Sequence, residues 1–574
     1  MKVLELTGYA LGDLARISAA PTGSPVLPIR HDGGLVLVGP VFGGDGAGVC
    51  LSCAEDARLA AQSTATPRRD ERMRVGGLGS PVLRPLLAAL TERVRADPDA
   101  HRDTVLAVRA DLATVTEHRV RTRPDGCAVC GPLPEDSPEL AVVVREPVPA
   151  EPGTVRGPNP RTSGDAVRAA LVDARHGLVT GVLRIGDLPL AAAAAQLVPE
   201  GQGRQAGFGR TGDFAEAERV ALFESVERHA GMRPRRVRTV LEASFAELGP
   251  SRALDPVRLG LPDHPSPHIT PYSAEARTKW VHGWSYTHGR PVAVPEHAVY
   301  WGLGRGTGAR FLDETSNGCG TGNSLTEAVL HGLFEVAERD AFLMAWYARR
   351  PLPELEVRDD FVAHLADRVA QLGYALEFYD ATTELDVPSV LSLARHTGPG
   401  PLSPRAFFAA GAGLDPAGAV RAAAAEVVMD VESAARRFRT NPEEYDRDRL
   451  LRMLREPGLI RTMEDHVTVN GLPEAADRYD FLRPGDPVAA TVPDVPRDDL
   501  DALLEHYVRK LAALELEVIA VDQTDPVVRD RLGLHSAKVI VPGTLPMTFG
   551  ELNRRTHGIG RLRADGPLLP HPFP

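Results

Sequence analysis

The sequence predicts an α/β protein, in the α+β sense, in two parts: a small α/β module over residues 1–155 and a larger unit of internally repeated α/β elements over 160–574. Three observations lead there. Apolar strand-like runs alternate with helical periods along the chain, and a Pro- and Gly-rich stretch at 131–165 reads as a linker. The pattern E-x-x-E-R also occurs twice, each time on a helix that follows a Gly-rich turn, which suggests one repeated unit. A hydrophobic content of 43% with 25% charged residues describes an ordinary globular protein with ample core. The net charge of −12 offers no general field for nucleic acid or an anionic membrane. No stretch approaches the roughly 20 apolar residues of a membrane span, and the AAAAAQL run near 191 is short and flanked by Pro189 and Pro199. The start lacks a basic region followed by a long apolar run, so the expected compartment is the cytoplasm.

In the first part, GGLVLVGPVF reads as strand and SPVLRPLLAALTERVRA as helix. Four of the five cysteines form two C-x-x-C pairs, Cys50 with Cys53 and Cys127 with Cys130. A reducing compartment favours a metal over a disulfide for them, and two matched pairs suit a closed, structural tetrahedral zinc site. The stretch 131–165 follows, with one apolar strand, LAVVV, inside it.

The second part opens with a helix (DAVRAALVDARHG) and a strand (LVTGVLRIG), then QAGFGRTGDF and a helix carrying Glu224, Glu227 and Arg228 as E-x-x-E-R. The pattern returns at Glu335, Glu338 and Arg339, behind SNGCGTG. At about 100° per residue, with Glu327 set at zero, Asn323, Glu338, Glu335 and Arg339 fall between roughly −40° and 120°. Leu325, Val329, Leu333, Val336 and Leu343 fall on the opposite side, so three carboxylates and an amide share a stripe with little compensation. Glutamates at i and i+3 share a face, and two such helices facing each other would present five carboxylates to one pocket. Without cations that pocket repels itself; with Mg²⁺ bridging to phosphates the repulsion becomes ligation. No G-x-x-x-x-G-K-[ST] occurs, so ATP binding does not use a P-loop. GLGRGTG, 302–308, reads as a flexible loop rather than a phosphate cradle.

Further on, AFFAAGAGLDPAGAVRAAAAEVVMDVESAARR reads as strand, turn and helix, with Glu426, Asp430 and Arg436 as polar candidates. Residues 440–500 read as a charged, Pro-rich surface excursion, LDALLEHYVRKLAALELEVIAVDQT as helix then strand, and KVIVPG as an apolar strand. Pro570, Pro572 and Pro574 alternate at the end. Such a tail is a stiff extended element able to insert into a site.

Taken together, these motifs resemble the YcaO proteins, specifically the ATP-dependent azoline-forming cyclodehydratases of ribosomal-peptide natural-product biosynthesis. The resemblance covers about 160–574. It rests on GFGRT with ESVERHAG, SNGCGTGNSLTEAVLHGLFEVAERDA, VDQTDP, KVIVPGTLPMTFGELNRRTHGIGRL and the terminal PHPFP. It implies that Glu224, Glu227, Arg228, Asn323, Glu327, Glu335, Glu338 and Arg339 bind ATP and its Mg²⁺, and that the tail reaches the active site. Where many members carry Lys before the first helix, this chain has Phe208, with Arg210 to supply the charge. A downstream Gln-containing motif is not matched, because Met429 or Glu432 stands there, and Glu426 and Arg436 join the candidate set only weakly.

The first part resembles, less specifically, a segment of the ThiF-type partner domain, with its zinc knuckles at Cys50, Cys53, Cys127 and Cys130. It implies a docking scaffold whose recognition of a precursor peptide is completed by a separate leader-peptide-binding protein. A homodimer is also implied. No flavin fingerprint occurs, so oxidation of azoline to azole requires a separate, flavin-dependent dehydrogenase. The activity implied is cyclodehydration of Cys, Ser or Thr in a precursor peptide; backbone thioamidation or amidine formation, and a silent docking scaffold, are the alternatives. Arg228 and Arg339 either contact phosphate or orient the glutamates; spacing does not separate these roles.

Overall fold

The computed structural model describes all residues except 21, 33, 45–47, 63–80, 110, 113, 123–125, 128, 164, 199–204, 305–307, 399–403, 442–444 and 574, and the side chains of 438 and 439. The first five strands, Lys2–Leu6, Val26–Asp32, Leu35–Val38, Thr104–Arg109 and Thr114–Arg119, form one sheet in chain order. Its first pair is parallel and the others antiparallel. Alternation along LVLV decides what each face meets. Val36 and Val38 pack with Leu83, Leu90 and Val94 of helix Leu83–Ala96, whereas Leu35 and Leu37 pack with Cys50, Cys53 and Ala54 at helix Leu51–Ala61. Both faces are covered, which is why the strand reads as an unbroken apolar run.

The rest of the chain repeats one motif three times: a strand rich in glycine or alanine, a short turn, and a long helix lying back on that strand. The pairs are strand Ala206–Thr211 with helix Phe214–Met232, Cys319–Gly322 with Leu325–Ala348, and Ala406–Ala412 with Pro416–Thr440. The first and third strands close three-stranded antiparallel sheets, and the second lies at one end of a larger antiparallel sheet with His535–Ile540, Ile519–Asp522, Arg277–Ser285 and Arg290–Pro295. One glycine sets each pair. A Cβ on Gly209 would lie 1.9 Å from the Ala217 carbonyl oxygen, one on Gly320 2.2 Å from that of Ala328, and one on Gly411 2.3 Å from that of Ala419. The glycine thus lets each helix rest against its strand. The stretch at 207–210 is therefore a strand, not the turn expected from its glycines, and most of GCGTG is likewise strand. Fifteen residues after its glycine, each helix presents a glutamate: Glu224, Glu335 and Glu426. The repeat thus has a third copy, which reads E-x-x-M-D and escapes the pattern E-x-x-E-R.

Helix Leu325–Ala348 is enclosed nearly all round. Val329, Leu333, Val336 and Leu343 are buried as expected, but so are Ala328, Leu330, Phe334, Ala337 and Glu327. It is a central element rather than an amphipathic surface helix.

The stretch 131–165 does more than link. LAVVV forms no strand: residues 138–141 make a 3₁₀ turn, Val142 and Val144 are exposed, and Val143 and Val148 pack on the core beside helix Leu500–Ala513. An alternating apolar run becomes a strand only beside a partner, and here the backbone bonds outward instead, Val148 N–H donating to Asp499 and Ala150 N–H to the Asp498 carbonyl. The expected excursion at 440–500 also folds, with helices Arg447–Arg455 and Met463–Asn470 around a small core of Leu450, Met453, Ile460 and Val469. Most of its described charged residues are exposed, on these helices and on the segments that join and follow them, which explains the surface-like composition. The expected loop GLGRGTG falls in part, at 305–307, outside the described residues.

Candidate functional site

The acids of the first two repeat helices meet between them. Glu224 Oε1 accepts from the Arg228 guanidinium at 2.8 Å and its Oε2 from the Phe208 backbone N–H at 2.5 Å. Glu335 accepts from the Gly318 N–H at 2.8 Å and lies 3.5 Å from Arg339. Gly318 has φ +70°, and a Cβ there would meet the Val539 carbonyl oxygen at 2.3 Å, so glycine alone allows that donor to face Glu335. Glu227 sits between them, and burial first, then the charges of Glu335 and Glu224, push its carboxyl well above the ordinary range. Burial also raises Glu335. Glu327, 2% exposed, is pushed up to about 7 by burial although the Gly157 N–H donates to it at 2.8 Å. A cavity of about 290 Å³ opens over Arg156, Phe223, Glu224, Glu227, Asn323 and Glu327, at the lower end of ordinary ligand pockets of about 300 Å³ upward.

A second acidic group joins the second and third helices. Burial, then Glu426 and Glu335, hold Glu338 up at about 7 against the opposing charge of Arg339, 3.7 Å away. Asp430, one turn beyond Glu426, is pushed up to about 7 by burial and by Glu426, and its Oδ2 is buried without a partner. Arg210 stands 3.8 Å from Glu426 and over the Phe208 ring, which brings it to this group. Arg436 is not brought there: its side chain is exposed, and the charge that reaches Asp430 from the same helix is that of Arg437. Helical geometry accounts for it, since the eleven residues from Glu426 to Arg437 are three turns, whereas Arg436 lies about 80° off that face.

Four contributors lie outside the expected set. Lys538, 1% exposed in the apolar strand His535–Ile540, donates to the Thr315 carbonyl at 3.2 Å, and its charge opposes the upward shifts of Glu227 and Glu335. The stretch read as a linker supplies Arg156, Gly157 and Asn159. Asn323 is held by them, donating to the Gly157 carbonyl at 2.8 Å and accepting from Asn159 at 3.1 Å. A lysine inside an otherwise apolar strand was the available signal for Lys538; a Gly/Pro-rich stretch offered none for the others.

The tail is docked. Pro570, His571, Pro572 and Phe573 are buried, and Pro574 lies outside the described residues. Asn470 donates to the carbonyls of Pro570 and His571, both at 3.2 Å. Trp346 donates to the Leu569 carbonyl at 3.0 Å. Phe573 packs on Phe342 with centroids 3.8 Å apart, and the guanidinium of Arg339 lies 5.8 Å from that same ring. One aromatic ring therefore separates the tail from the second E-x-x-E-R.

In the first part the four cysteines converge. Cys50 Sγ lies 3.5 Å from Cys127 Sγ and Cys53 Sγ 4.0 Å from Cys130 Sγ, and all four sulfurs fall within 4.8 Å of one another. A tetrahedron with zinc–sulfur bonds of about 2.3 Å has edges of about 3.8 Å, so the set fits a four-thiolate ion and is too open for disulfides. Cys319 is separate and buried, near the acidic cleft.

The repeated strand–helix pairs thus gather carboxylates that repel one another, Glu327 buried and Glu224, Glu227, Glu335 and Glu338 partly so, a donor set that suits a multivalent cation. The chain belongs to the YcaO family: its family model, described as a cyclodehydratase that binds ATP and Mg²⁺, matches residues 208–545, more than half of the chain. The chain is 28% identical over 374 residues to an uncharacterized protein of Methanothermobacter thermautotrophicus, covering 64% of this chain and 88% of that one. A protein encoded in the tfuA 3′ region of Rhizobium leguminosarum bv. trifolii, also described as uncharacterized, is 26% identical over 411 residues, 68% of this chain and 88% of that one. Among solved structures, a heterocyclase in complex with substrate and cofactor superposes with a TM-score of 0.73 at 21% identity, over 96% of this chain and 77% of that one. The heterocyclase TruD gives 0.62 at 19% identity, over 94% and 73%. At these identities the likeness is one of fold, and it extends over the first part as well as the repeats. Among the described residues no helix is long and apolar enough to cross a membrane.

Proposed function

We propose that this protein uses ATP to cyclodehydrate Cys, Ser or Thr residues of a ribosomally made precursor peptide to thiazolines or oxazolines. The observation that carries this reading is the pair of acidic groups flanking the second repeat helix in a chain of the YcaO family. Magnesium bound there would neutralise the triphosphate and the charge that migrates to it. Glu224, Glu227, Glu327, Glu335 and Glu338 are its ligands in this reading, with Glu426 and Asp430 beside Glu338 as a further acidic pair. Arg228 and Arg339, each near a glutamate of its own helix, orient those glutamates; Arg156 and Arg210 are the cations that face phosphate, while Lys538, buried against Thr315 and Glu314, lowers the repulsion from behind.

In the reaction, the substrate thiol or hydroxyl adds to the carbonyl carbon of the preceding amide and loses its proton. The oxygen of that amide takes the γ-phosphoryl group of ATP. Phosphate then leaves with the oxygen, and the ring carbon–nitrogen double bond forms as the amide nitrogen loses its proton. The products are ADP, phosphate and an azoline lighter by one water. Residues 1–155, braced by zinc on the four cysteines, form a docking unit that works with a leader-peptide-binding partner, and the chain acts as a homodimer. Purified protein with that partner and a Cys-, Ser- or Thr-containing precursor is expected to release one phosphate per water lost from the peptide, read by mass spectrometry and a phosphate assay. ATP consumption without that mass loss would assign another nucleophile, as in thioamidation or amidine formation. No ATP binding would leave a docking scaffold.

The tail belongs to the same proposal: the Pro570, Pro572 and Pro574 segment acts as a strap at the active site, anchored by Phe573 against Phe342 beside Arg339. Phe573→Ala removes the ring that anchors it, a loss of about 3–5 kcal/mol for a buried phenylalanine. The variant is expected to become sensitive to carboxypeptidase and to lose at least roughly tenfold in turnover while still binding ATP. Equal trimming of variant and parent, with equal turnover, would remove the strap from the mechanism.

A further inference from the structure

Away from the acidic cleft, His118, Asp173 and His176 each bring one donor atom within 4.8 Å of the other two. The three come from both parts of the chain. His118 lies on the edge strand Thr114–Arg119, whereas Asp173 and His176 lie in the turn between helix Ala166–Leu171 and strand Val179–Ile185. The turn is built to present them. Asp173 Oδ1 accepts from the backbone N–H of Arg175 at 2.7 Å and of His176 at 3.3 Å, and the Gly177 N–H returns to the Asp173 carbonyl at 2.9 Å. A Cβ on Gly177 would lie 2.5 Å from the Asp173 nitrogen, so glycine is needed to close it. Asp173 Oδ2 then faces His118 Nδ1 at 2.7 Å, and Thr116 holds His118 Nε2 at 2.6 Å.

His176 is the anomaly. It is 2% exposed, and both of its ring nitrogens are buried without a hydrogen-bond partner. A neutral imidazole carries one donor and one acceptor, and buried polar atoms are ordinarily satisfied. Its ring stands 5.3 Å from that of His118, tilted by 41°. The charges of Arg30 and Glu55, which also reach it, belong to a network in which Glu55 binds both Arg30 and Arg58 and Arg58 binds Asp32, so two cations are matched by two carboxylates behind it. A cavity of about 300 Å³ opens at the three side chains, with Arg119, Arg121 and Arg531 on its walls. These arginines are paired in turn, Arg119 and Arg531 with Asp103 and Arg121 with Asp525.

We propose that His118, Asp173 and His176 hold a divalent cation of the zinc class, separate from the four-thiolate site, with an open coordination position toward this cavity. Two imidazoles and one carboxylate are a donor set that zinc and its neighbours accept with a further position left for water or an anionic ligand. The ion takes the place of the His118–Asp173 hydrogen bond and gives His176 its missing partner. It also pins the edge strand of the first sheet to the turn that leads into the repeats.

The test is a cobalt titration of the metal-free full chain in excess Mg²⁺, which occupies the hard carboxylate sites, read by elemental analysis and absorption. Two cobalt ions are expected, one with a thiolate-to-metal charge-transfer band and one with only weak ligand-field bands. Asp173→Asn, which keeps the turn's Oδ1 bonds, and His176→Gln are each expected to lose the second ion and to keep the thiolate band. Uptake in the unmodified protein limited to the thiolate ion, the outcome if only water sits on His176, overturns the proposal. An unchanged second ion in folded Asp173→Asn does the same, and that variant decides if His176→Gln fails to fold.

Discussion

Glu227→Gln is expected to lower ATP turnover by about 10²–10³-fold, and to raise the melting temperature of the ligand-free protein by roughly 2 °C. Both effects have one cause. Glu227 is partly buried between Glu224 and Glu335, and among the described residues no cation is in salt-bridge contact with it as Arg228 is with Glu224. The amide keeps the shape and removes a charge that only a bound cation can use, so function falls while stability rises. Thermal unfolding with and without Mg²⁺ and ATP reads both: the ligands should stabilise the parent and do much less for the variant. A variant no more stable than the parent, with unaltered turnover, would mean that Glu227 is an ordinary solvated acid.

The pH dependence carries the sign. The carboxyl values of Glu227, Glu327, Glu335, Glu338 and Asp430 are all raised on folding, the second, fourth and fifth to about 7. The folded protein thus keeps protons that the unfolded chain has released, and the advantage is complete below the unfolded carboxyl range. It disappears as pH climbs through about 7. The buried histidines work the other way: His466 is lowered to about 4 by burial, so its contribution is lost as pH falls through 6.5 and below. The parent and Glu227→Gln share these histidines, and the difference between the two cancels them. That difference should therefore widen from pH 5 to pH 8.

Much of this site was legible in the residues and some was not, for physical reasons. Glu224, Glu227, Glu335 and Glu338 were recoverable because a helix fixes angles, so i and i+3 spacing places two acids on one face wherever the helix goes. The four cysteines were recoverable because spacing and chemistry both constrain them. The third copy of the repeat was hidden: what is repeated is the close approach of Gly209, Gly320 and Gly411 to the following helix, a packing constraint that only the coordinates expose. Glycines that read as turns were strands for that same reason. Arg156, Gly157 and Asn159 were hidden because loop backbone becomes part of a site through tertiary bonds, and no period announces them. Arg436 reads as a candidate from its type alone, whereas direction around the helix, followed across three turns, puts Arg437 rather than Arg436 on the face of Glu426.

The remaining large effect concerns the four cysteines. Cys50→Ser with Cys127→Ser removes two of four candidate zinc ligands, where a structural zinc contributes on the order of 10–16 kcal/mol in small peptides. In this chain Cys50 caps the N-terminus of helix Leu51–Ala61, and Cys50, Cys53 and Cys127 share a core with Leu35, Leu37, Val105 and Ala107. The loss should therefore begin on that face of the first sheet. The face beneath helix Leu83–Ala96 has its own apolar contacts. The expected result is loss of one zinc per chain, read by elemental analysis, and rapid proteolysis confined to residues before about 130. The repeat helices, whose cores contain no residue of the first sheet, should still bind Mg²⁺ and ATP. Full zinc retention would reject the thiolate site. Collapse of ATP binding along with the first part would instead mean that the two parts unfold as one unit, which the contacts of Arg121 with Asp525 and Arg531 with Asp103 make a measurable alternative.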